Sequence, residues 1–375
     1  AAVPARVQQQ ALDRLAAARE AQAGVNRRPV GGAPAAAERE EEERTGGRVA
    51  VAPRAKTEGP GRRHTVTIAL PGSIVRNAQS PELRTYLAGQ VARALVIFQV
   101  DEVVVYNEDE GAGGVDKAAE QQKGRRQQQF NCNHFLARLL QYLECPQYLR
   151  KSFFPVHRDL KFVGLLNPLD APHHMRIDEW SEFREGVVLP KMQAKRKKRM
   201  QKSIAQGRGV YVNCGLRKDV YVNTPLVSGV RVTVKLPEQP PTANVYKGEV
   251  VAPSYPREQR GTYWGYSTRY ASSLSKVFSE CPYDGGYDLT IGASNRGKPI
   301  NEFSAPSFMH AVVVFGGIRG LDHSVACDPD ILDEDPAHLF QHFLDTCPNR
   351  GSRSVRAEED LLITMASLNL SEAGM

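Results

Sequence analysis

Between Thr65 and Tyr106 the 375-residue chain leaves little choice of fold. Residues 65–70 (TVTIAL) alternate as a strand does and stop at Pro71-Gly72. A helix then opens with Ser80 as N-cap, Pro81 at its first position and Glu82 in its first turn. Its Leu83, Leu87, Val91, Ala94 and Phe98 recur at helical spacing and predict one apolar face. Residues 101–106 (DEVVVY) follow, and their uninterrupted valines suit a strand buried on both faces. Strand, helix and strand in this order form a β-α-β unit, whose strands pair in parallel.

The rest of the chain extends this unit and then interrupts it. A polar Gly- and Gln-rich stretch at 108–129 leads to a helix carrying Phe135, Leu136, Leu139, Leu140 and Leu143, stopped by Pro146. After LLNPLDAPHHMR (165–176) come the short alternating runs GVYVNC, DVYVN, VRVTVKL and NVYKGEVV, separated by Gly, Pro and Asn turns. Such runs predict a small β-barrel. Within VRVTVKL the alternation points Arg231, Thr233 and Lys235 outward, a partly basic face. From Trp264 the α/β pattern returns: a helix at 274–280, strands at YDLTIG and AVVVFGG, a helix near 338–343 and a final helix at 358–370. The expected class is α/β, a parallel sheet in two pieces, 64–168 and 264–375, separated by a β insert at 169–263. Residues 1–63 contain no Phe, Tyr, Trp, Cys or Ile and have little apolar surface to offset ordering entropy, so they read as a disordered extension. A helix at 12–23, stopped by Gly24, is the one element predicted within it.

Composition removes several classes. The longest apolar run, 311–318, is strand-sized, far short of a membrane span, and no signal peptide precedes the first strand. Six cysteines without a C-x-x-C pair suit reduced thiols, so a secreted disulfide scaffold is not expected. The expected location is nuclear, nucleolar or cytoplasmic. The net charge of +7 (49 basic against 42 acidic residues) is matched by one segment, 191–202 (KMQAKRKKRMQK), with seven basic side chains and no acidic one. Its Lys195, Arg196, Lys197, Lys198 and Arg199 fit a phosphate backbone or an import signal.

Three Gly-containing segments follow predicted strands near the C-terminus: IGASNRG (291–297), FGGIRG (315–320) and NRGSRSVR (349–356). Loops at the carboxyl ends of parallel strands are where α/β sheets bind ligands, and glycine there lets backbone groups approach closely. GGxxG alone is a weak dinucleotide signal, because Gly320 runs into the polar, Pro-interrupted LDHSVACDPDILDEDP. The final helix carries Leu361, Leu362, Ile363, Met365, Leu368 and Leu370, more apolar surface than one sheet face needs. Cys145, Cys281 and Cys347 each precede a proline, which suits small residues at element ends. His173 and His174 are adjacent, so on a regular element they point apart, and no partner set completes a zinc site.

PGSIVRNAQSPELRTYLAGQVARA, LECPQYLRKSFFP, LLNPLDAPHHMR, YWGY, YDLTIGASNRG, VVVFGGIRGL and DTCPNRGSRSVRAEED, in this order, resemble the eukaryotic and archaeal branch of the SPOUT (α/β-knot) RNA methyltransferases. The resemblance runs from about Thr65 to the C-terminus and implies an OB-like insert, a C-terminal trefoil knot, bound S-adenosylmethionine and a homodimer. It implies a structured RNA substrate, ribosomal before transfer RNA, and a base nitrogen before a ribose 2′-oxygen as acceptor. Carried over residue by residue, it implies cofactor contacts at Ile291, Gly292, Arg296, Gly316, Gly317, Gly320, Asn349, Gly351, Ser352, Val355 and Glu359. Asn77, Arg84 and Arg93 would face the cofactor of the other subunit as catalytic candidates. RNA would meet the basic segment together with Arg231, Lys235 and Arg356. The chain departs from the pattern at Ala293, Asn295, Asn349, Arg350 and Ala357; Asn349 would suit a left-handed turn, and Ser354 could cap the last helix in place of Ala357. The alternative is an RNA-binding or scaffolding protein, nuclear or spindle-associated, that keeps S-adenosylmethionine as a ligand.

Overall fold

A computed structural model describes residues 61–109, 130–190, 209–237 and 246–370. The sheet is built on β1 (Thr65–Pro71), whose parallel neighbours are β2 (Glu102–Tyr106) and β10 (His310–Phe315). β8 (Ser267–Ala271) extends it beyond β2, while β9 (Leu289–Pro299) and then β11 (His342–Asp345) extend it beyond β10. Every pairing is parallel, as the β-α-β unit requires. Both faces are covered. Helices α1 (Pro81–Ile97) and α2 (Cys132–Glu144) and the last helix pack on one face around Ile68, Leu70, Val103, Val105, Val313 and Ile291. Val104, Val312 and Val314 face the other, under short helices near Leu274 and Leu321. Each such fully buried side chain contributes about 1.5–3 kcal/mol, which is why the valine runs fix the centre of the sheet.

α1 begins as its punctuation predicts: the Ser80 hydroxyl accepts the Leu83 N–H at 3.2 Å. One residue of its predicted apolar face is misassigned. Leu83 is 53% exposed, whereas Leu87 and Val91 are buried. α3 (Gln147–Phe153) follows α2.

The insert closes on itself as a barrel in the order β3 (Phe183–Val188), β4 (Val210–Asn213), β5 (Val220–Val222), β7 (Tyr246–Val251) and β6 (Arg231–Lys235). Its core is Val188, Val212, Val220, Val222 and Val234 with Cys214 and Leu236. The outward reading of β6 fails at Thr233, which is buried with its hydroxyl donating to Glu185 at 2.6 Å. Arg231 does not project freely either. Its guanidinium meets Glu144 at the end of α2 through two nitrogens, at 2.7 and 2.9 Å, and Glu185 of β3 at 2.7 Å. Burial by itself would raise the pKa of Glu144, but hydrogen bonds from Arg231 and then His173 hold it down to about 2. Trp264 completes the clamp by donating to Glu185. Barrel and sheet are thus joined by buried charges, with α4 (Tyr255–Arg260) leading the chain back to β8.

His173 and His174 do not point apart. They leave a turn, and both rings donate to the carbonyl of Glu144, at 2.9 and 2.6 Å, so they cap α2. Burial first, then the neighbouring His173, lowers the pKa of His174 to about 4, so it is neutral near pH 7.

Three further expectations change. The IGASNRG segment is not a loop after a strand but an excursion within β9, whose pairing with β11 jumps from Gly292↔Phe343 to Lys298↔Leu344 and leaves residues 293–297 without a partner on β11, although Ala293 stays buried and paired with Phe315 of β10. The helix expected at 338–343 is a 3-10 turn, Pro336–Leu339, followed by β11, because Pro336 and the aromatic Phe340 and Phe343 suit a strand edge better than a helix. The last helix, α7 (Ala357–Leu368), is capped by neither Ala357 nor Ser354: Arg356 is the N-cap, and its N–H donates to Glu359 at 3.1 Å. Helix α5 (Leu274–Ser279) lies where a helix was expected. Among the described residues no helix is long and apolar enough to cross a membrane. The basic residues 195–199 and the predicted extension up to residue 60 lie outside the described residues.

Candidate active site

Because all six strands run the same way, their carboxyl ends open on one edge of the sheet. The 293–297 excursion, the turn after β10 and the segment after β11 come from three adjacent strands there, β10, β9 and β11. The 3-10 turn Gly72–Asn77 after β1 and Asn107–Glu108 after β2 complete the edge.

The turn after β10 is tight. Gly320 takes a left-handed φ of 78°, and its N–H donates to the Gly317 carbonyl at 3.0 Å just as α6 (Gly320–Ala326) begins. A side chain at Gly316 would strike the Gly320–Leu321 backbone at 2.5 Å, and one at Gly317 would strike the Glu108 carboxylate at 2.1 Å. Gly292 is held by rings, since a Cβ there would lie 2.6 Å from Phe340. These three glycines are therefore required by the chain's own packing. Gly351 is different: it is exposed and a Cβ there meets nothing within 4 Å, so the chain's own packing does not require a glycine at this position. Asn349 and Gly351 both lack the positive φ that the Asn349 reading expected. The Arg350 side chain turns back to Asp345 at 4.0 Å, so this departure is absorbed by a neighbouring carboxylate. Under the segment, Thr346 and Thr364 are buried and hydrogen-bonded to each other at 2.7 Å. Asp360 beside them has a raised pKa, chiefly through burial, with Thr364 and Arg350 opposing.

The remaining predicted residues separate into two groups. Ile291 lies in the core with only its backbone available to a ligand, while Ser352 and Arg356 are exposed and Val355 is half-buried. Arg296 is exposed and pairs with Asp322 of α6. Asn77 ends the turn after β1, at the same edge, and Arg84 follows one turn into α1, where it donates to the Ala78 carbonyl at 3.2 Å and lies 4.8 Å over the Phe130 ring. Arg93 cannot join them. Nine residues at about 100° each turn it about 180° from Arg84, and it donates to the Leu169 carbonyl on the way to the barrel. Lys235 is half-buried, 3.6 Å from Glu182.

Sequence reading missed a buried polar group behind the turn. Glu108 is 5% exposed, and the hydroxyls of Ser73 and Ser324 donate to its two oxygens, that of Ser324 at 2.8 Å. Tyr106 lies beside it and donates to the Phe315 carbonyl at 2.7 Å, bracing the start of the turn. Burial first and the Glu108 charge second push the Tyr106 pKa well up, so it stays a donor. The only signal was an acid two residues past a buried strand, which reads equally well as the start of a solvated loop.

The chain matches, over residues 65–368, the family described as "Putative RNA methyltransferase". The chain belongs to this RNA methyltransferase family. Among its relatives, the 28S rRNA (uridine-N(3))-methyltransferase of Mus musculus is 51% identical over 84% of this chain and 78% of that protein. The enzyme of the same name from Homo sapiens is 50% identical over 85% and 82%. That of Drosophila melanogaster is 44% identical over 81% of this chain and 61% of its own length. The family match spans both halves of the sheet and the barrel between them, so the insert belongs to the family's architecture as the sequence resemblance implied.

Proposed function

We propose that this chain transfers a methyl group from S-adenosylmethionine to N3 of a uridine in 28S ribosomal RNA. The observation that carries the reading is identity of about half, over more than four-fifths of the chain, with two enzymes named for that activity. Bound cofactor supplies an activated methyl on a sulfonium centre. Gly351, Ser352 and Val355, the backbone at Gly316, Gly317 and Gly320, and the 293–297 excursion with Arg296 would hold it. The open space at Gly351 supports that fit. The chain's remaining task is to align the acceptor nitrogen and handle its proton. N3 of uridine must first give up its proton to solvent, and the uridinate anion that then attacks the methyl carbon calls for a fixed cation. Arg84, beside Asn77 at the carboxyl edge, suits that role better than Arg93. The segment from β11 through α7 forms the trefoil knot of this reading.

The decisive assay incubates the purified protein with unmodified 28S rRNA and methyl-labelled S-adenosylmethionine, then identifies the nucleoside by mass spectrometry. 3-Methyluridine is expected. Label on ribose or no label would overturn the reading.

A homodimer accompanies this proposal, but its surface shifts from the last helix to the first. Leu361, Met365, Leu368 and Leu370 are buried within their own chain. Exposed apolar side chains lie instead on α1, at Leu83, Tyr86 and Ile97, with Leu362 of α7 nearby at 39% exposure. At about 100° per residue these three α1 positions fall within about 60° of one another, one stripe that runs beside Arg93 and lies about 100–160° around the helix from Arg84. Leu83→Glu with Tyr86→Glu is expected to give monomers in sedimentation and to lower methyl transfer at least ~100-fold. A fully active monomer would sink the shared-site idea.

RNA affinity is assigned in part to the basic segment. Changing Lys195, Arg196, Lys197, Lys198 and Arg199 to Gln should flatten the log–log salt dependence of RNA binding by ~0.7 per lost phosphate contact on single strands. An unchanged slope would leave the segment as an import signal.

A further inference from the structure

Glu108 is a carboxylate buried at the carboxyl end of β2, and among the described residues it has no cation beside it. Among the described residues its hydrogen-bond partners are two hydroxyls, Ser73 and Ser324, and no Arg, Lys or His forms an ion pair with it. The nearby Arg76 is occupied by Asp109 through two bonds, at 2.8 and 2.7 Å. A buried anion held only by neutral donors is costly, so an unpaired one at a ligand-binding edge asks what balances it. The Gly316–Gly317 turn lies directly on it: a Cβ at Gly317 would be 2.1 Å from Oε1. A single layer of backbone, without side chains, therefore separates this charge from whatever occupies the turn's outer side. That layer has low polarisability compared with water and transmits the field of the carboxylate.

Resting on the proposed use of S-adenosylmethionine, we infer that Glu108 is a specificity-determining residue that distinguishes the cationic cofactor from its neutral product. Methyl transfer breaks the carbon–sulfur bond, returns the electron pair to sulfur and leaves a neutral thioether. The attraction of Glu108 for the ligand falls at that moment, which favours release of S-adenosylhomocysteine over rebinding. Ser73 and Ser324 act as positioning residues that hold the carboxylate against the turn.

The test is calorimetric titration of the full chain with S-adenosylmethionine, sinefungin (which carries an amine in place of the sulfonium) and S-adenosylhomocysteine. In the wild type the two cationic ligands should bind about tenfold more tightly than the neutral one. In Glu108→Gln their advantage should shrink to within about twofold, with S-adenosylhomocysteine affinity nearly unchanged. Glu108→Asp, which retains the charge one methylene further back, should recover part of the advantage. Equal weakening of all three ligands would overturn the inference, since it would make Glu108 a brace for the turn and nothing more. If Glu108→Gln does not fold, the wild-type series decides: a neutral ligand that binds as tightly as the cationic ones refutes the role. Binding of none of the three to the wild type would instead refute the cofactor reading itself.

Discussion

A valine in place of Gly351 is expected to lower the affinity for S-adenosylmethionine by at least ~100-fold, about 2.7 kcal/mol, and to leave the fold intact. The backbone at Gly351 is not left-handed, and a Cβ there touches nothing within 4 Å, so the substitution is expected to cost the fold little. A change of this kind moves stability by only about 0.5 kcal/mol or less. The melting temperature without ligand should shift by no more than ~2 °C. Gly317→Val is the instructive contrast. It drives a side chain into the Glu108 carboxylate and is expected to unsettle the turn whether or not a ligand binds there. Weak cofactor binding in that variant therefore says little about the pocket, whereas the same result for Gly351→Val, with an unchanged melt, locates the ligand. Normal affinity in Gly351→Val would remove the third segment from the site.

The second large effect is on stability. Arg231→Met is expected to cost 3–5 kcal/mol, roughly the penalty for leaving a buried charge pair without its partner. For a chain of this size that is a fall in melting temperature of ~4–8 °C. Both Glu144 and Glu185 lose their guanidinium, and among the described residues His173, Thr233 and Trp264 remain to their carboxylates. The pH dependence supplies a check on the cause. In the wild type the Glu144 carboxyl is held at about 2 against an ordinary value of 4.5, so its contribution is fully present above pH ~4.5 and is lost as pH falls through about 2. Without Arg231, burial raises the Glu144 pKa instead, and protonation relieves the strain. The variant should thus lose less stability than the wild type between pH 5 and 3. An equal loss in both would mean that the clamp contributes little and that the barrel is held by its apolar contacts.

The α/β class, the barrel insert and the parallel order of β1 and β2 were legible because each rests on a local pattern that one environment enforces. A valine run such as Val103–Val105 tolerates no solvated face, and Ser80-Pro81-Glu82 satisfies orphan helix N–H groups wherever the helix packs. The site was legible only as a set of loops. Sequence placed Gly292, Gly316, Gly317 and Gly351 together as ligand glycines, and nothing local distinguishes a glycine kept clear for a ligand from one pressed by Phe340, Leu321 or Glu108.

Composition and periodicity by themselves determined β1, α1, β2, α2, most strands of the barrel and the parallel pairing of the sheet, whereas β3 and β8 were not predicted and a helix was expected where β11 lies. Side-chain partnerships were decided by the tertiary structure alone. Alternation aims Arg231 outward from its strand, yet α2 lies across that face and presents Glu144 to it. Helical periodicity already sets Arg84 and Arg93 on opposite sides of α1, yet only the fold supplies their partners, the Phe130 ring for one and the Leu169 carbonyl for the other. Glu108 reads as the first residue of a polar loop, yet Ser73 and Ser324, 35 positions before it and 216 after it, close over its carboxylate. The physical reason is the same in each case. Backbone hydrogen bonding and apolar burial are set within a few residues, whereas the partner of a charge is whichever distant group the fold brings within about 3–4 Å of it.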